Sequence, residues 1–273
     1  MLDIYFNSEK ERKCFEVNLL HIVETQELQW QTDDNHTERL QLFYPKENQA
    51  IVNDVMQAFI HVFITHYLPV ILEKIIRRHF YYTDEEEVQR IVTIANSLFE
   101  QEMVSTSNDN PFLKKLFYPQ LLEMDTIYFH SFLAFRVQSC QEVFIELIGK
   151  AIDEFKMEED HQTFIEAVRK FAASQGAKMP QIHVVQGDPF TFFTESGNKL
   201  TYKELHTMMQ AEPLYIVGLD ENEMNLAPLL AMSPEKIFIY GENPSEAKTL
   251  TVINIFLEKV TFKPLSHFPF VLN

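Results

Sequence analysis

The stretch KMEEDHQTFIEAVRKF, residues 156–171, puts Glu158 and His161 three positions apart in what reads as one helix. Glu-x-x-His sets both side chains on one helical face. Two such pairs, with a glutamate from each of two further helices, make the di-iron site of a helical bundle. This chain supplies only half of that set, because His61, His66, His79 and His130 have no glutamate three residues earlier. Phe155, Ile165, Val168 and Phe171 recur as the apolar stripe of the same helix, which turns Glu158, Glu159 and Asp160 towards water. The cluster is therefore expected to be a solvated face or a negative docking surface, with no metal.

Arg136 shares a helical face with Phe132, Cys140 and Val143. That spacing predicts a guanidinium drawn into the interior, where it needs a carboxylate. Asp153 and Glu154 on the following helix are the expected partners, in a structural pairing. Nearer the C-terminus, YIVGLDEN and FIYGENPSEA each run from a predicted strand through glycine into an acidic loop, the place where open α/β sheets hold ligands. Asp220, Glu223, Tyr240 and Glu242 are the candidate pocket there, and Asp220, Glu221 and Glu223 could help to hold a divalent cation. Neither glycine-rich phosphate pattern is present. Glu242 beside the Asn243 cap would repel a phosphate, and Glu246 completes an ordinary cap. No Gly-x-Ser-x-Gly exists, and neither Cys14 nor Cys140 has a catalytic setting. The residues give no catalytic motif and call for no cofactor.

The elements that must position these residues fall into three regions. Residues 1–45 are mixed: an alternating strand LDIYF, a helix over about 8–23, then the strands ELQWQT and RLQLFY. Residues 46–178 are almost wholly helical. A first helix runs from about Asn48 to His79, kinked at Pro69. Thr83 and Glu86 have capping-box spacing before VQRIVTIANSLF. STSNDN at 105–110 breaks the pattern, Asn110–Pro111 restarts a helix, and helices follow at about 121–150 and 151–174. Residues 179–273 form a second mixed segment with predicted strands QIHVV, TFFTE, KLTY, PLYIVG, KIFIYG and VTFKPL. Helices are predicted at 202–210, 224–231 and 244–259. The fold class is α+β, a helical central region flanked by small N- and C-terminal α/β segments.

Composition narrows the function classes. Hydrophobic residues make up 46% of the chain, with 24 Phe, so a globular core is expected. Forty acidic against 23 basic residues give a formal charge of −17, which repels nucleic-acid phosphates and anionic lipid. Val55–Leu72 carries no charge, yet Gln57, His61, Thr65, His66 and Pro69 interrupt it. Val52, Val55, Met56, Phe59, Ile60, Phe63 and Tyr67 recur at helical spacing, which describes a core helix rather than a membrane span. The two cysteines fit a reducing cytosol, and the start lacks the basic and apolar regions of a secretory signal.

FLAFRVQSC, then AIDEFKMEEDHQTFIEAVRKFAASQ and IHVV, resembles the YtxC family of sporulation proteins of endospore-forming bacteria. The matching residues are Phe135–Arg136, Ile152–Asp153–Glu154–Phe155, Phe164–Ile165 and Gln175. LLAMSPEKIFIYG is similar to the family's helix-Pro-x-x-strand element, although that strand ends here in Tyr240 where the pattern often has His. These anchors run from about 129 to 260. The resemblance implies a sporulation context and carries no chemistry. The expectation is a cytoplasmic, non-enzymatic protein acting through a protein partner, with no nucleic acid, membrane or cofactor. The alternative is a small-molecule or divalent-metal enzyme or binder using the C-terminal segment.

Overall fold

Residues 1–22, 28–33, 36–44, 48–105, 124–220 and 222–271 are described by the computed structural model. They form an α+β protein with a helical centre, in two units, Met1–Lys156 and Met157–Asn273.

In the first unit the alternation of LDIY makes β1 (Leu2–Tyr5), with Leu2 and Ile4 fully buried. After α1 (Glu9–Ile22), strands β2 (Gln29–Asp33) and β3 (His36–Phe43) form an antiparallel pair. The sheet order is β2-β3-β1-β4, where β4 (Thr126–Tyr128) lies parallel to β1 with Ile127 beside Ile4. That strand was not legible in the sequence: three residues are too few for a periodicity to show. In the core Phe59 stacks on Phe129 at a centroid separation of 5.0 Å and meets Phe15 at a tilt at 4.7 Å. Because β1, β3 and β4 share one sheet and α1 lies against α2 (Gln49–Val62), the N-terminal segment is part of this core. The two compact units divide at 156/157.

The expected helix from Asn48 to His79 is built in three pieces: α2, a π turn over Phe63–Tyr67, and α3 (Leu68–His79). Pro69 has no N–H for the Thr65 carbonyl and its ring crowds that group. The Leu68 N–H instead reaches back to the Phe63 carbonyl, widening the turn ahead of the proline. Among the described residues, Ala50–His79 is long and apolar enough to cross a membrane, and half of its most apolar window is buried. Val52, Val55, Phe59, Phe63, Leu68, Leu72 and Ile76 carry that burial. Tyr67 donates its O–H to the Glu11 carboxylate at 2.6 Å, tying the π turn to α1. Burial is the main cause that raises this phenol's pKa, and Glu11 adds to it.

α4 (Glu85–Ser105) starts differently from the sequence expectation. Asp84, not Thr83, receives the N–H groups of Glu86 and Glu87, at 2.9 and 3.0 Å. The STSNDN break beyond Ser105 and the Asn110–Pro111 restart lie outside the described residues. The next helices are α5 (Phe129–Ser139) and α6 (Gln141–Ser174), so the boundary predicted near 150 sits at Cys140, whose φ of −108° and ψ of 9° leave the helical region.

In the second unit the order is β6-β5-β7-β8, with β5 (Met179–Val185) antiparallel to β6 (Thr191–Thr194). β5 is parallel to β7 (Pro234–Gly241), which is parallel to β8 (Val260–Pro264). Three helices follow the predictions: α7 (Tyr202–Gln210), α8 (Leu226–Met232) and α9 (Ala247–Phe256). Thr201 and Glu204 close a full capping box at the start of α7. Two predicted strands are corrected. KLTY gives only one bridge, Lys199 with Phe193. PLYIVG is a 3₁₀ turn over Leu214–Val217. Leu214 and Val217 are buried while Tyr215 and Ile216 are exposed, a spacing of three where a strand needs two.

Candidate functional site

Parallel strands β5, β7 and β8 end together, and a ligand of an open α/β sheet would sit beyond their carboxyl ends. Here that position is filled by Gln186, the residue after β5. Its Oε1 accepts the N–H groups of Glu242 and Asn243 at 3.0 and 3.3 Å. Its Nε2 donates to the Asn243 carbonyl, the Glu246 carboxylate and Thr249 Oγ1 at 2.7, 3.1 and 2.7 Å. Gly241 is what lets the amide in, since a Cβ there would lie 1.7 Å from Gln186 Oε1.

The candidate pocket residues are not brought together around this point. Asp220 accepts the Asn222 N–H at 2.7 Å within its own loop. Glu223 accepts the N–H groups of Leu226 and Ala227 at 2.6 and 2.7 Å, so its carboxylate caps α8. Glu242 is exposed, and Tyr240 lies on the other face of the sheet with 2% of its surface exposed. Glu221 lies outside the described residues. The expected cap led by Asn243 is not formed: α9 starts at Ala247 with Glu246 itself at the N-cap, and the Glu246 carboxylate accepts from Thr249 Oγ1 at 2.8 Å.

The residues singled out on the helices also separate. Phe155 is the last α6 residue in the first core and Ile165 the first in the second. Glu159, Asp160 and His161 are exposed there, Glu158 is half-buried, and Met157 is 72% exposed. No group of three metal-ligating side chains occurs among the described residues. Arg136 is half-exposed and not interior. Its guanidinium lies 4.5 Å from the Phe132 ring, and Asp153 and Glu154 are exposed. The break at Cys140 ends the helical phase that was to carry Arg136 inwards with Val143. In the first unit an open hollow of about 400 Å³ is lined by Phe80, Tyr81, Tyr82, Thr83, Glu87, Ile152 and Lys156. It holds no acid–base pair within bonding distance.

The sheet's other face carries an arrangement that sequence reasoning missed. Ile182, Val184, Ile237 and Ile239 go to the helix-covered core, so alternation sends His183, Phe238 and Tyr240 to the opposite side. His183 Nδ1 and the Tyr240 hydroxyl are 2.9 Å apart. Phe238 stacks on the imidazole at 5.4 Å, and Lys263 lies 4.6 Å above the Phe238 ring. Burial pushes the His183 pKa down; the Lys263 charge does so too, and Glu195 opposes them. Burial also raises Tyr240. Residues beyond β8 cover this face, with Phe268 against Tyr240 and Phe193 and with Phe270 against His183. The available signals were the strict two-residue period of QIHVV and the aromatic pair in HFPF.

These features define an α+β protein whose strand ends are filled by its own side chains. The sequence profile of the YtxC-like family matches residues 53–261, and the chain belongs to that family. The match reaches into α2, well before the anchors that begin near 129. Over 208 residues the chain is 28% identical to the protein of Bacillus subtilis (strain 168) named "Uncharacterized protein YtxC", covering 71% of this chain and 70% of that one. No solved structure matches.

Proposed function

We propose that this chain acts in the cytoplasm during sporulation by binding another protein rather than by transforming a small molecule. The observation that carries the reading is Gln186. Its amide occupies the strand-end position that a cofactor or substrate would take, and Glu223, one of the candidate cation ligands, is engaged as a helix cap. What remains for recognition is surface. Tyr215 and Ile216 project side by side at 78% and 64% exposure, and the net charge of −17 sets an acidic field around them. The sporulation context rests on the family resemblance. The cytoplasmic placement rests on two free cysteines, Cys14 and Cys140, in a chain of this charge.

The test is affinity purification of the tagged full chain from sporulating cells, with mass spectrometry of co-purifying proteins and elemental analysis of retained metal. A specific protein partner at near-equal stoichiometry is expected. Recovery of the chain alone with a bound metal or metabolite would overturn the reading in favour of a C-terminal small-molecule site.

A further inference from the structure

We propose that the outer face of the second sheet is a binding site for an aromatic–proline peptide segment. In this structure the chain's own Phe268–Pro269–Phe270 fills it, and a segment of the same kind from a partner protein replaces that cover. The proposal names a site and a partner class for the protein-binding reading above and rests on it.

The floor of the site is built. His183 and Tyr240 are 6% and 2% exposed, and they satisfy one another through the 2.9 Å bond. Above them Phe268 sits 5.1 Å from Tyr240 and 4.9 Å from Phe193, both edge-on, and Phe270 stands edge-on to His183 at 5.3 Å. These are the separations at which aromatic rings attract beyond their buried area. The wall is shaped to the ring as well: Gly197, at φ +83°, has no Cβ, and one built there would lie 2.4 Å from Phe270 Cδ1.

The cover, in contrast, is held as a ligand is held. Among the described residues no hydrogen bond or ion pair joins residues 266–271 to the sheet, and the Phe268 N–H bonds within the segment, to the Leu265 carbonyl. Phe268 and Phe270 are half-exposed, and Pro269 and Val271 are exposed. Phe268 has φ −66° and ψ 124°, close to the polyproline conformation that a following proline enforces. An extended aromatic–proline segment therefore presents its rings with little ordering cost, and aromatic grooves elsewhere read such segments. Since ring contacts alone seat the native cover, a segment bearing the same rings makes the same contacts from another chain.

The experiment uses the full-length chain and its Phe268→Ala/Phe270→Ala variant. The probe is a fluorescent peptide with the sequence of residues 265–271. The variant should bind it saturably and about tenfold or more tightly than wild type, whose affinity is reduced by the fraction covered. Binding should return the His183 ring signals of the variant to their wild-type positions. Equal binding by both chains, or none by a variant whose Ile237 and Ile239 amides stay protected, overturns the site. Should the variant lose that protection, wild-type hydrogen exchange decides. Exchange of the Phe268 amide ahead of Ile237 supports a displaceable cover, and exchange only together with it overturns one. Capture of a protein from sporulating cells without peptide binding removes this site and leaves the protein-binding reading standing. Peptide binding without any captured protein removes that reading and leaves the site.

Discussion

Replacing Gln186 by glutamate changes the amide's chemistry and little of its volume. The carboxylate keeps the acceptor that receives the Glu242 and Asn243 N–H groups at 3.0 and 3.3 Å. It loses the donor that now faces the Asn243 carbonyl, Glu246 and Thr249. An amide nitrogen has two hydrogens to share among those acceptors, so two bonds are lost, one of them to a carboxylate. At about 1 kcal/mol for a neutral bond and 1.5–3 for a charged one, the loss is roughly 2.5–4 kcal/mol before any repulsion. The new carboxylate also meets that of Glu246, which raises its pKa in the folded unit. A carboxyl group raised on folding contributes stability fully below about pH 4.3, and loses it as pH rises through the folded value. The deficit against wild type should therefore be small near pH 4 and complete at pH 7. Gln186→Ala loses the same donated bonds and both accepted ones without introducing a charge, so its deficit should be at least as large as that of Gln186→Glu before repulsion and should not change between pH 4 and pH 7.

The assay needs a probe for each unit, because a single two-state transition is not to be assumed. Trp30 is the chain's one tryptophan and lies in β2, so its fluorescence follows the first unit. Amide exchange at Ile237 and Ile239 follows the second. Wild-type protection of those amides in Gln186→Glu at pH 7, or the same deficit of Gln186→Glu at pH 4 and pH 7, would refute the filled strand end.

Tyr67→Phe should destabilise the first unit by about 1.5–3 kcal/mol, the worth of a bond to a charged group, read by Trp30 fluorescence in urea. Because the folded Tyr67 pKa is raised, the wild-type advantage should be complete below about pH 10 and disappear above it. His183 runs the opposite way. Its folded pKa is lowered, so second-unit stability is complete above about pH 6.5 and falls as pH drops below it; His183→Gln should flatten that profile in β7 amide exchange. Among its contacts, Arg136→Ala removes the one with the Phe132 ring, worth about 0.5–1 kcal/mol and measurable by urea unfolding.

Periodicity set most of the elements from local information. The two-residue alternation of QIHVV and KIFIYG, and the 3.6-residue stripe of Val52 to Ile76, are properties of the chain before it folds. The capping box at Thr201 is likewise local, and so is the family resemblance. Where two local readings compete, sequence alone failed. Asp84 and Thr83 are both good caps, and the backbone chose the one nearer Glu86. Tyr215 and Ile216 favour strands by type, and the burial of Leu214 with Val217 overrode that preference.

The candidate site depended on distance through space, which no period encodes. Glu158 and His161 are on one helix as expected, in a stretch of α6 that contributes buried residues to neither core. Arg136 was assigned inwards by a helical phase that ends at Cys140. Gln186 carries no signal of its own, since a glutamine after a strand is ordinary. Its role exists only because parallel pairing of β5 with β7 brings Gly241 beside it, and a missing Cβ there opens room for an amide. The sequence determined the faces of each element by its own period. Which faces met, and which positions they filled, was decided by pairings between residues 50 or more apart, among them His183 with Tyr240 and Gln186 with Thr249.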